Sequence, residues 1–190
     1  RHPGIVRILD LNTHQGRPYL VMQYIEGRTL DQLMAEENRS HAHRHLADGL
    51  AVDLMIQGLE GLHTAHLAGI LHRDLKPGNF MVTAKGAVKL LDFGMAQRLG
   101  VDSRLTASGS VLGTPAYMSP EQASGDRDGL SCRSDIYSMG AVLYELTTGH
   151  QPYTAENSIA LLRRILEERL VPPSRVRPGV PHDLETVILK

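Results

Sequence analysis

Apolar and polar residues alternate along this chain in ways that predict its elements. IVRILDL (5–11) and PYLVMQYI (18–25) are dense in β-branched and aromatic residues, which predicts two strands joined by a polar turn, NTHQGR (12–17). RTLDQLMAEEN (28–38) has apolar residues at helical spacing, with Thr29 as its N-cap. A long amphipathic helix is expected over 45–69, its apolar residues being Leu46, Leu50, Leu54, Ile56, Leu59 and Leu62 and its end Gly69. NFMVT (79–83) and AVKLLDF (87–93) flank Lys85-Gly86 as a hairpin. Residues 94–125 show no periodicity and much Gly, Ser and Thr, and a long irregular stretch in a compact domain is usually functional or disordered. Beyond it, 133–149 reads as a largely buried helix capped by Ser134, and 157–170 as an amphipathic helix capped by Asn157 or Ser158. Residues 171–181 read as a loop and 182–190 as the start of a further helix. Two strands therefore come first, then mostly helix.

Composition narrows the class. The 190 residues suffice for one domain or most of a larger one, and 42% hydrophobic residues are enough for a real core. A formal net charge of -1 lacks the basic excess of a nucleic-acid surface. The single cysteine, Cys132, excludes an internal disulfide and fits a reducing compartment, where it is read as a spectator thiol. No run approaches the roughly 20 apolar residues of a membrane span, so no membrane contact is expected from this segment. The cytoplasm is the expected location, either free or on the cytoplasmic side of a membrane that tethers a longer parent. His41, His43 and His45 sit in a polar connection without the cysteine or second histidine pair that would complete a tetrahedral zinc site, and a solvated loop is expected there.

One stretch asks for chemistry. ILHRDLKPGNFMV (70–82) packs His72, Arg73, Asp74, Lys76 and Asn79 between apolar runs, around a Pro-Gly break. A solvated turn needs polarity but no particular identities; a catalytic loop needs particular groups at particular places.

HRDLKPGN, followed in order by DFG, GTPAYMSPE and DIYSMG, resembles the protein serine/threonine kinases, in particular the eukaryotic-like kinases of bacteria. The resemblance covers nearly the whole chain. It implies an α+β, protein-kinase-like fold: a mainly helical large lobe over 26–190 and, over 1–25, a remnant of a β-rich small lobe holding two strands and the start of the hinge. It implies ATP and Mg²⁺ (or Mn²⁺) as cofactors and protein Ser/Thr hydroxyls as acceptors. Asp92 and Asn79 would supply oxygens to metal, Asp74 would accept the substrate hydroxyl's hydrogen, and Lys76 would steady the moving phosphoryl charge. Lys76 also points to serine/threonine rather than tyrosine acceptors, and Thr114 would tie the substrate-docking loop to Asp74 and Lys76. Met22 as gatekeeper, with Gln23, Tyr24 and Ile25, would form the hinge that meets adenine. Met81, Leu20 and Leu30 are candidate apolar walls or spine residues. His72, Phe93 and Ile8 would belong to the internal spine, with Gly94 completing the metal-binding motif. Asp135 would accept backbone N–H groups from the His72-Arg73 turn, and Arg73 would pair with phosphate on the activation segment, Thr106 and Ser108 being the best-matched acceptors.

The chain also departs from the family's pattern. No two glycines stand two positions apart, so there is no G-x-G-x-x-G hairpin, and neither Lys89 nor Lys190 stands where the ATP-binding lysine would. Arg1 is not a methionine, and the resemblance begins at HPGIV, which usually follows the glutamate-bearing helix of the small lobe. Glu121 would pair with an arginine of a later helix, and without it an unpaired buried carboxylate would be costly. An incomplete domain is the expectation: an active parent, and a segment that alone binds ATP poorly and associates through an open strand edge. Self-association for trans-autophosphorylation is a further expectation. Two other readings are weighed against this one. A non-catalytic kinase-like scaffold is disfavoured by the intact Asp74, Asn79 and Asp92. A small-molecule kinase of the aminoglycoside type would lack the GTPAYMSPE segment.

Overall fold

Residues 2–41, 45–93 and 115–190 are described by the computed structural model. Its first sheet is a hairpin of β1 (Ile8–His14) and β2 (Arg17–Met22). The ladder runs on to His14↔Arg17, leaving only Gln15 (φ 49°) and Gly16 (φ 73°) in the turn. Two successive left-handed residues make the type I′ turn whose twist suits a hairpin. The expected turn at 12–17 is therefore too long: Asn12 pairs with Tyr19 and Thr13 with Pro18, because an exposed strand accepts polar residues. The strand expected from residue 5 starts later as well. Gly4 to Val6 run alongside residues 88–90 instead, with Val6 N–H donating to the Leu90 carbonyl (2.9 Å) and Leu90 N–H to the Gly4 carbonyl (2.8 Å).

The second sheet has the order β3 (Gly27–Thr29), β4 (Phe80–Thr83), β5 (Val88–Leu90), all antiparallel. Phe80, Val88 and Leu90 are buried, whereas Met81 and its cross-strand partner Lys89 alternate to the other face. Helix α1 (Leu30–His41) follows β3 directly. The Gln32 side chain accepts the Thr29 N–H (3.0 Å), the reciprocal half of a capping box, and Thr29 Oγ1 donates to Asp31.

The 20-residue helix α2 (Asp48–Leu67) is the central support. Its buried face is Ala51, Leu54, Met55, Gly58, Gly61, Leu62 and Ala65, while Leu50, Ile56 and Leu59 face solvent. That corrects the apolar face expected from sequence, which counted large residues. The contact surface is built of small ones because partners come close: a Cβ on Gly58 would lie 2.8 Å from Phe80 Cε1, and one on Gly61 would lie 2.8 Å from the Gly4 carbonyl oxygen.

Past residue 114 come α3 (Pro120–Ser124), α4 (Cys132–Thr148), α5 (Ser158–Glu167), α6 (Pro173–Val176) and α7 (His182–Leu189). α4 is capped by Ser131, not Ser134. Arg133 N–H donates to Ser131 Oγ, and Ser134, three residues in, accepts the Ser131 N–H (3.2 Å). Asn157 caps α5, accepting the Ala160 N–H at 2.9 Å. The loop expected at 171–181 contains α6, started by Pro173. One core joins α1, α2, α4, α5, α7 and the β4–β5 hairpin, with Leu30, Leu62, Phe80, Leu90, Val142 and Leu146 fully buried. The fold is α+β. Among the described residues no helix is long and apolar enough to cross a membrane.

Candidate active site

The polar loop of residues 71–79 leaves α2 and enters β4 through a single 3-10 turn, Pro77–Asn79. Its shape is enforced from below by Asp135 at the start of α4. This carboxylate is almost wholly buried, and ionised it needs donors. It has three: the His72 N–H on Oδ2 (2.8 Å), the Arg73 N–H on Oδ1 (2.8 Å) and His66 Nε2 on Oδ2 (2.7 Å). Arg73 has φ 66°, a left-handed conformation that costs a non-glycine residue on the order of 1–3 kcal/mol and persists only where its surroundings over-determine it. The clamp on its N–H is one such determinant. The second is Gln122 of α3, whose Nε2 donates to the Arg73 carbonyl (2.8 Å).

His72 is fully buried against Phe93, ring centroids 4.6 Å apart. Its Nε2 lies 2.7 Å from the Leu91 carbonyl, which can only accept, so Nε2 carries the proton. The bare Nδ1 then faces the Asp74 N–H at 3.4 Å. Burial lowers the pKa of this ring below the usual histidine value, outweighing the backbone bond to Leu91 and the nearby Asp135 and Asp74 charges. The neutral imidazole thus holds two backbone groups, the Leu91 carbonyl and the Asp74 N–H.

Asp74 and Lys76 form the exposed rim, with Lys76 Nζ 3.1 Å from Asp74 Oδ2 and both side chains over a third accessible. Such an open ion pair adds little stability. Asn79 is 5% exposed and bridges segments. Its Nδ2 donates to the Asp74 carbonyl (2.6 Å), and its own carbonyl accepts the Leu91 N–H (2.9 Å). That uses one N–H of the amide and fixes its orientation, with Oδ1 as the acceptor end. Next to Leu91, Asp92 has φ 59° and lines a cavity of about 910 Å³ together with Arg73, Phe93, Ile8, Leu20, Met22, Gln23 and Lys89. A carboxylate and an amide oxygen on adjoining segments are hard donors of the kind Mg²⁺ takes.

In the hinge stretch, Met22 ends β2 and Gln23 N–H donates to the Arg7 carbonyl (2.8 Å). Tyr24 is 89% exposed, so of the four residues 22–25 its ring is turned to solvent. Ile25 is half-buried, and Met81 is half-buried on β4. Ile8, expected in the internal spine, is about half exposed on the cavity wall, and Leu30 lies in the core. Lys89 Nζ donates to the Pro3 carbonyl (2.7 Å). Glu121 departs from expectation: it is half-buried, and Ser134 Oγ donates to it, which with backbone bonding holds its carboxyl below the usual range against the desolvation of burial. Gly94, Thr106, Ser108 and Thr114 lie outside the described residues.

Three contributors escaped the sequence. His66 acts on Asp135 from 69 positions away, and nothing local marks it. Gln122 had a signal, the S-P-E-Q pattern of a capping box at 119–122. Tyr117 donates to Glu145 (2.5 Å) and accepts from Gln151, while its carbonyl accepts from Ser138 Oγ (2.7 Å). Burial raises the pKa of both Tyr117 and Glu145, so this knot under the 115–117 turn is held by a phenol that stays protonated.

The protein kinase domain model matches residues 1–183. The serine/threonine-protein kinase PknB of Mycobacterium leprae is 37% identical over 193 residues, covering 100% of this chain and 30% of the relative. A probable serine/threonine-protein kinase of Clostridium perfringens is 35% identical over 189 residues, and one of Streptomyces coelicolor is 36% identical over 194, covering 26% and 28% of those proteins. The chain thus spans less than a third of the length of these curated relatives.

Proposed function

The chain belongs to the protein kinase family, and from that premise we propose that it carries the acceptor-side chemistry of an ATP-dependent serine/threonine protein kinase. The observation that carries this reading is the run of bonds from Lys76 to the exposed Asp74 carboxylate, from Asn79 to the Asp74 carbonyl and from Leu91, the neighbour of Asp92, to the Asn79 carbonyl. Asp74 accepts the hydrogen of an incoming Ser or Thr hydroxyl on a side-chain oxygen and takes that proton as the hydroxyl oxygen bonds to the γ-phosphorus of ATP, whose bond to the bridging oxygen breaks and releases ADP. Lys76, already within reach of Asp74, steadies charge on the phosphoryl group as it moves. Asn79 Oδ1 and the Asp92 carboxylate are the residues that would hold Mg²⁺, which when bound neutralises phosphate charge. Asp135, His66 and neutral His72 keep the loop from shifting between turnovers. Gln23 and Ile25 offer backbone groups to adenine, and phosphate on Thr106 or Ser108 would raise activity by pairing with Arg73.

The test is Asp74→Asn, nearly isosteric but no longer a proton acceptor. With Mg-ATP and a generic basic protein, kcat of the full-length protein should fall about 10²–10⁴-fold, the usual contribution of a positioned base. Wild-type turnover in that variant would refute the role.

A further inference from the structure

We propose that Gln122 is a positioning residue, its side-chain amide bracketing the cap of α3 to the peptide that presents Asp74. The inference rests on the reading of Asp74 given above. The amide is used at both ends: Oε1 accepts the Ser119 N–H at 3.1 Å, and Nε2 donates to the Arg73 carbonyl at 2.8 Å. An N–H can only donate and a backbone carbonyl can only accept, so one orientation of the amide satisfies both. The Arg73 carbonyl and the Asp74 N–H belong to the same peptide plane. Gln122 grips its oxygen, and His72 Nδ1 faces its N–H at a long 3.4 Å. The shorter contact is the firmer one. It falls on the far side of Arg73 from the Asp135 clamp, so a left-handed residue is fixed at both of its peptides. Turning that plane would swing the Asp74 side chain, and small misplacements of a reacting group are costly to rate. α3 follows directly on the 115–117 turn, and Gln122 lines a small cleft with Asp74, Lys76, Tyr117 and Met118. The bracket therefore couples the substrate side of the site to the catalytic carboxylate.

A residue that served only as a cap could be Glu as well as Gln, since a capping box takes either. Gln122→Glu keeps the acceptor for Ser119 but sets a carboxylate against the Arg73 carbonyl, whereas Ser119→Ala weakens the cap and leaves the bracket. In the full chain, amide hydrogen exchange at Arg73 and Asp74 should quicken about tenfold in Gln122→Glu, with Ala123 and Gly125 unchanged, and kcat should drop about tenfold at an unaltered KM for ATP. Ser119→Ala should show the reverse exchange pattern. Should the carboxylate disturb the whole fold, Gln122→Met removes both polar ends without charge and should still loosen Arg73 and Asp74 beyond the rest of the loop. Wild-type exchange at Arg73 and Asp74 in Gln122→Glu, or equal loosening there and in α3, overturns the proposal. If Asp74→Asn keeps its turnover, the kinase reading fails, and the exchange pattern still decides the bracket.

Discussion

Two antiparallel hairpins in this molecule share a plan and differ in fate. β1–β2 closes through Gln15-Gly16, and β4–β5 through a short turn at Lys85-Gly86. Along β1 every residue is exposed, including Ile8, Leu9 and Leu11, and Tyr19 and Val21 of β2 are exposed too. In the second hairpin Phe80 and Leu90 are fully buried and Val88 nearly so. Local chemistry makes both strands; neighbours make one of them a foundation. β4 gains β3 on its free edge, β5 gains the chain at Gly4 to Val6, and α2 covers the face with a glycine beneath Phe80. The polar loop of residues 71–79 leans on this covered hairpin through Asn79 and the Leu91 carbonyl, so stability and site geometry share one element.

That contrast can be broken most forcefully at Phe80. Phe80→Ala should cost about 3–5 kcal/mol in denaturant unfolding, as truncation of a fully buried ring does. Gly58→Ala comes next. Its methyl would meet the Phe80 ring at 2.8 Å, and overpacking of this kind should cost about 1–3 kcal/mol by the same measurement, despite alanine's better helix propensity. Acidification should act through His72. Its folded pKa lies below the unfolded value of 6.5, so the unfolded chain binds more protons once pH falls past that value. The stability His72 contributes is whole above about pH 6.5 and is lost progressively below it. The His72 ring resonance should fail to titrate between pH 8 and 6.5, while unfolding midpoints begin to decline on the acid side of that range. The smallest effect belongs to the open hairpin: Leu11→Ser should stay within about 0.5 kcal/mol of wild type. A loss of several kcal/mol there would mean that β1 is covered in solution.

The contents of the site were readable where partners are near in sequence. Asp74, Lys76 and Asn79 lie within six residues, and a loop that short brings them together however the rest packs. Asp135 was legible only through resemblance to a family, since 62 and 63 positions separate it from the amides it holds. His66 and the Arg73 contact of Gln122 were not legible: a polar residue in the first or last turn of a helix has many ordinary uses, and only the packed neighbour selects one. The buried face of α2 was misread for a related reason. Leu50, Ile56 and Leu59 attract notice by size, but close approach of Phe80 and Gly4 demanded Gly58 and Gly61.

By itself, then, the sequence determined most of the strands and helices, though not β3, α3 or α6, and where caps and tight turns fall to within a few residues. These follow from interactions over a few positions along the chain. Tertiary structure alone decided which hairpin is buried, which helix face is inward, how a left-handed Arg73 is tolerated, and which distant groups grip the peptide of Asp74. Those outcomes depend on what meets each surface in space, and contacts separated by 49 to 69 residues leave no periodic trace in the chain.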